Sequence, residues 1–95
     1  MATTRQKALK IMLNSGINTK MRGFPYLVRA LEMCYDDREY MTLITKRLYP
    51  AIAEQFNTTQ TAVERVMRYA IDKRNCTKCS VGEFLSLGVY LMELE

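Results

Sequence analysis

The sequence predicts an all-α fold: a six-helix domain that contains a helix-turn-helix. Three observations carry that prediction. Apolar residues recur at steps of three and four along most of the chain, and strand-type alternation is weak throughout. The polar turn Asn57, Thr58, Thr59 also separates two helical stretches at the spacing that a helix-turn-helix needs.

Thr3 or Thr4 can cap a first helix, about 4–14, whose apolar positions are Ala8, Leu9, Met12 and Leu13 and which ends before Gly16. After the turn Asn18, Thr19, Lys20, a second helix carries Phe24, Leu27, Val28, Leu31, Cys34 and Tyr35 on one face, with Pro25 tolerated in its first turn. Asp36 and Asp37 break it, and Asp37 is placed to cap a third helix carrying Met41, Ile44 and Leu48. Pro50 opens a short fourth helix with Ile52, Ala53 and Phe56 on its buried side. The fifth, about 59–74, has Val63, Val66, Met67, Ala70 and Ile71 at i, i+3, i+4, i+7 and i+8. A turn over 75–80 leads to a closing helix with an inner stripe of Phe84, Leu87, Leu91 and Leu94.

With 95 residues, 48% of them hydrophobic, the chain makes one domain, 1–95, able to bury a core without metal or disulfide. No stretch approaches the roughly 18–20 apolar residues of a membrane span, and no apolar run follows the charges of the first ten residues. A cytoplasmic protein with no membrane partner is expected. The net charge of +4 is uneven: residues 46–78 hold seven basic and three acidic groups, whereas 79–95 hold three acidic and no basic ones. A basic central third favours phosphate, because neutralising phosphates releases condensed counterions.

The helix-turn-helix is assigned to about 50–74. Ala53, ten positions before Val63, is small enough for the bracing helix to accept the buried face of the second. Opposite that face Thr61, Glu64, Arg65, Arg68 and Tyr69 project together, with Lys73 and Arg74 a turn further on. Arg65 lies early in the helix, where base edges are reached, and its planar fork suits guanine O6 and N7; Glu64 can accept from cytosine N4. Glu64, Arg65 and Thr61 are therefore the candidate base contacts. Arg68, Tyr69, Lys73, Arg74 and Thr59 are the candidate phosphate contacts, which set register without reading sequence. Glu64 and Arg68 at i, i+4 also suit a simple ion pair.

The segment ITKRLYPAIAEQFNTT at 44–59, followed by Val63, Glu64, Arg65 and then Arg68, Tyr69, Ala70, Ile71, resembles the C-terminal effector domain of the stage zero sporulation protein A family. The likeness extends upstream through GFPYL at 23–27 and YDD at 35–37, and so covers most of 10–75. The resemblance implies a six-helix domain of a response regulator that binds short boxes in promoter DNA, usually as tandem copies, and hence a homodimer on tandem sites. It places Glu64 and Arg65 at the family's base-contacting pair and Arg68 on its DNA-facing surface. Ala62 stands where the family typically has a DNA-contacting arginine and Tyr69 where it has histidine, which implies a shifted box preference. The connection over 75–80 is much shorter than the family's, which bears on the dimer contacts made through the last helix.

Other features point to little chemistry. Cys76 and Cys79 form a CxxC, but the chain has no histidine and its third cysteine, Cys34, falls on a predicted buried face, so neither a zinc site nor any other metal or cofactor is expected. Asp36 and Asp37 read as a stop and a cap. Met12, Met41 and Met67 fall on core stripes. No nucleophile has a histidine base and no Gly-rich loop could cradle phosphate, so no enzyme is predicted. The alternative to a DNA reader is a protein-interaction module: the same scaffold binding another regulator or RNA polymerase, with Tyr90, Met92, Glu93 and Glu95 offered by the last helix.

Overall fold

The computed structural model describes residues 3–74 and 79–94. Six α-helices follow one another: α1 Thr4–Leu13, α2 Gly23–Asp36, α3 Glu39–Thr42, α4 Tyr49–Gln55, α5 Gln60–Lys73 and α6 Val81–Glu93, with a π-helical segment Ile44–Leu48 leading into α4. No strand occurs among the described residues.

The caps explain where several helices begin. Thr3 accepts the Gln6 N–H at 3.1 Å while Gln6 Oε1 accepts the Thr3 N–H at 2.9 Å, so two helix-end donors are satisfied reciprocally. Ser80 and Glu83 repeat the device at α6, both bonds at 3.1 Å. Gly16, at φ +89°, turns the chain after α1 in a conformation that a side chain would resist.

The central helix is α2, which packs against α1, α5 and α6. The predicted stripe Phe24, Leu27, Val28, Leu31 and Cys34 is buried, while Tyr35 is only partly so. Tyr26, Ala30 and Met33 are buried as well, because this helix has neighbours on more than one side. Leu27 and Leu31 are fully enclosed, each contributing about 1.5–3 kcal/mol from burial. Burial pushes the Cys34 thiol up to about 12. Glu32 sits at the edge of this core and pairs with Arg5 at 3.4 Å and Arg29 at 3.7 Å.

Three sequence expectations are corrected. The third helix does not run through Met41, Ile44 and Leu48: it stops at Thr42, since Leu43 leaves helical geometry (φ −121°, ψ 51°). The chain resumes in the wider π turn, closed by Leu48 N–H to Leu43 C=O at 3.2 Å, which packs against α4 and buries Leu48. In α1, Ala8 and Met12 are buried but Leu9 and Leu13 are exposed. In α6 the inner stripe is Val81, Phe84, Leu85, Gly88, Val89 and Met92, and Leu87, Leu91 and Leu94 face outward. Gly88 sets that rotation, because a Cβ there would meet Leu31 Cδ2 at 2.5 Å: α6 lies against α2 on its glycine side.

Candidate nucleic-acid interface

The bracing helix ends in a fixed turn. Asn57 adopts φ +53°, Thr58 N–H reaches Ala53 C=O at 2.9 Å and Asn57 N–H reaches Glu54 C=O at 3.3 Å, the pair of bonds that closes a helix end around a left-handed residue. Asparagine tolerates that conformation better than most side chains. Thr59 then caps α5 by accepting the Ala62 N–H at 3.1 Å. Gln60 donates from Nε2 to Thr45 C=O at 2.6 Å and ties the start of α5 to the π turn. Phe56, expected on the buried side of α4, is instead 38% exposed and leans on Tyr26 with ring centroids 4.6 Å apart, which anchors the turn to α2.

This frame presents α5 with one side buried and the other open. Val63, Met67, Ala70 and Ile71 are buried, as the spacing predicts, and Val66 is partly buried. Ala53 is buried in α4, and that helix packs on α5. Thr61, Arg65, Arg68, Tyr69 and Lys73 are exposed, and Glu64 is partly so. Thr59 is exposed too, with its hydroxyl engaged in the cap.

The charges on that face are organised. Arg68 donates from Nη2 to Glu64 Oε1 at 2.6 Å, so the i, i+4 pair does form. Tyr49 shares a recess with the pair, and its phenol pKa is raised by burial first and by the Glu64 carboxylate second. Lys73 Nζ sits 5.4 Å from the Tyr69 ring centroid. Arg65 makes no ion pair among the described residues and lines an open groove of about 350 Å³ with Met21, Arg22, Gly23, Val66 and Tyr69.

Residues 8–86 match the family described as sporulation initiation factor Spo0A C terminal. The chain belongs to that family. Spo0A C-terminal domains are the DNA-binding effector domains of a sporulation response regulator, a regulatory and not an enzymatic family. In this Spo0A-type domain most of the residues singled out from sequence gather on the outward side of α5.

Arg74 is the exception. It is half-buried, donates from Nη2 to Cys79 Sγ at 3.0 Å and lies over the Phe84 ring at 5.0 Å, so its guanidinium joins α5 to α6. Periodicity placed it one turn beyond the face without showing that α6 would cover it. The sequence reading also missed Met21, Arg22 and Gly23 beside Arg65. Gly23 was the available signal, since a residue without a Cβ permits a close approach of another helix. Cys76 lies outside the described residues, and no metal-holding cluster occurs among those described. Among the described residues no helix is long and apolar enough to cross a membrane.

Proposed function

We propose that the domain binds double-stranded DNA in a sequence-specific manner to regulate sporulation-related transcription, with α5 in the major groove. Glu64, Arg65 and Thr61 read base edges, and Arg68, Tyr69, Lys73 and Thr59 hold phosphates. The observation that carries the reading is Arg65: an exposed arginine without an ion-pair partner among the described residues, early on a capped helix whose opposite face is buried. In the free protein Glu64 holds Arg68. On DNA the same pair lets Glu64 turn to a cytosine amine while Arg68 moves to the flanking phosphate. Arg74, engaged with α6, is left out of the phosphate set.

The test is selection from random duplexes at two salt concentrations, followed by sequencing of what is retained. An enriched box that survives the higher salt is the expected result. Salt-sensitive retention without any enriched sequence would overturn sequence-specific reading.

A second reading, contact with another protein such as a regulator or RNA polymerase, is favoured by one observation. Leu87 and Tyr90, each 58% exposed, and Leu94, 67% exposed, form with Leu91 an apolar surface on α6 that this core does not use. Of the residues expected there, Tyr90 is exposed, whereas Met92 is fully buried and Glu93 pairs with Arg38 at 2.6 Å. Glu95 lies outside the described residues. A homodimer on tandem sites belongs with this reading, and the two functions are compatible in one domain.

A further inference from the structure

Residues 21–23 belong to neither helix of the helix-turn-helix, yet they line a groove with Arg65, Val66 and Tyr69 of its second helix. Gly23 opens α2 where an added Cβ would stand 2.7 Å from Ala70 Cβ and 2.8 Å from the Val66 carbonyl oxygen. That contact brings the preceding turn beside α5. The turn is itself held: Asn18 Oδ1 accepts the Lys20 N–H at 2.8 Å, Asn18 C=O accepts the Met21 N–H at 3.0 Å, and Met21 C=O accepts the Phe24 N–H at 3.0 Å.

The held turn exposes two cations, Lys20 and Arg22, and neither makes an ion pair among the described residues. By contrast Arg5, Arg29, Arg38, Arg47 and Arg68 each face a carboxylate. The groove that Arg22 shares with Arg65 has no acidic residue in its lining, and its remaining walls are Met21, Gly23, Val66 and Tyr69. Arg22 and Arg65 beside an apolar and aromatic floor suit a sugar-phosphate chain, with phosphate oxygens on the Arg22 guanidinium and deoxyribose against Met21 and the Tyr69 ring, and Lys20 lies exposed on the turn that precedes the groove.

We infer that this groove seats one DNA strand at the edge of the major groove, with Arg22 and Lys20 as phosphate anchors supplied from outside the helix-turn-helix. The inference rests on α5 entering the major groove as proposed above. It extends the footprint on the side of α5 that faces α2, and it adds affinity without adding sequence preference.

The experiment measures binding of a selected duplex and a scrambled duplex by fluorescence anisotropy across a salt series. The variants are Arg22→Ala, Lys20→Ala/Arg22→Ala, Arg65→Ala and, as a control, Lys7→Ala on α1. The slope of log K against log salt is expected to shrink by about one for Arg22→Ala and about two for the double variant. Both duplexes should weaken by the same factor, and Lys7→Ala should leave the slope unchanged. Replacing single phosphates of the selected duplex by neutral methylphosphonates should find one position that weakens the wild type and leaves Arg22→Ala unaffected.

An unchanged slope in the double variant, while Arg65→Ala still loses selectivity, overturns the anchor and leaves the groove-reading helix standing. An equal loss with Lys7→Ala also overturns it, because the effect is then the general field of the protein. Retention of selectivity by Arg65→Ala removes the helix assignment and the anchor together.

Discussion

Replacing Gly23 by alanine tests the packing that positions both α2 and α5. The new Cβ would lie 2.7 Å from Ala70 Cβ, whereas carbon–carbon contacts settle at about 3.5–4.0 Å, so the helices must part by roughly 0.8 Å or more at this point. The other obstacle, the Val66 carbonyl oxygen at 2.8 Å, is backbone and cannot rotate aside. Overpacking of this kind costs about 1–3 kcal/mol, and the better helix propensity of alanine offsets at most about 1 kcal/mol. The net expectation is a loss of about 1–2 kcal/mol, seen in urea denaturation and as a melting temperature lower by roughly 5–15 °C. Adding Ala70→Gly should recover only part of the loss, because it removes the carbon contact and leaves the Val66 oxygen in place. A Gly23→Ala protein as stable as wild type would refute the close approach of α2 to α5 on which the groove beside Arg65 depends.

Further outcomes follow from other sites. Arg65→Ala should cost about 1–3 kcal/mol of binding and flatten discrimination at one base position, whereas Lys73→Ala should weaken all sequences alike and lower the salt slope by about one; competition binding against single-base variants of the selected box separates the two. Asn57→Val should destabilise by about 1–2 kcal/mol and Asn57→Gly should keep or raise stability in urea titrations, since the position holds φ +53°. Cys34 should resist iodoacetamide at pH 8 until the protein is unfolded, because burial holds its thiol protonated. Its pKa is raised from 9.0 to about 12, so above pH 9 the unfolded chain binds fewer protons than the folded one. The associated stability is complete below pH 9 and is lost as pH rises from there toward 12. The stability difference between wild type and Cys34→Ala should accordingly be flat below pH 9 and shrink above it; a difference that stays flat to pH 11 would contradict the burial of this thiol.

Sequence by itself determined the helical class, the helix-turn-helix and the open face of its second helix. These are local properties: Thr59 caps wherever its hydroxyl meets the Ala62 N–H, and Val63, Met67 and Ala70 share a side by the geometry of a helix alone. Which face of a helix meets a neighbour is decided by the neighbours, and there the tertiary structure ruled. In α6 the apolar residues run almost all the way round, so periodicity offered Leu87, Leu91 and Leu94 as readily as Leu85, Val89 and Met92; the contact of Gly88 with Leu31 chose the second set. The break at Leu43 likewise depends on Leu48 reaching the core. Arg74 leaves its expected face, and Arg22, which had no expected place, lies beside that face, for the same reason. One is covered by Phe84 and the other is brought beside Arg65 by a glycine more than forty residues away in sequence, and contacts of that separation leave no period in the chain.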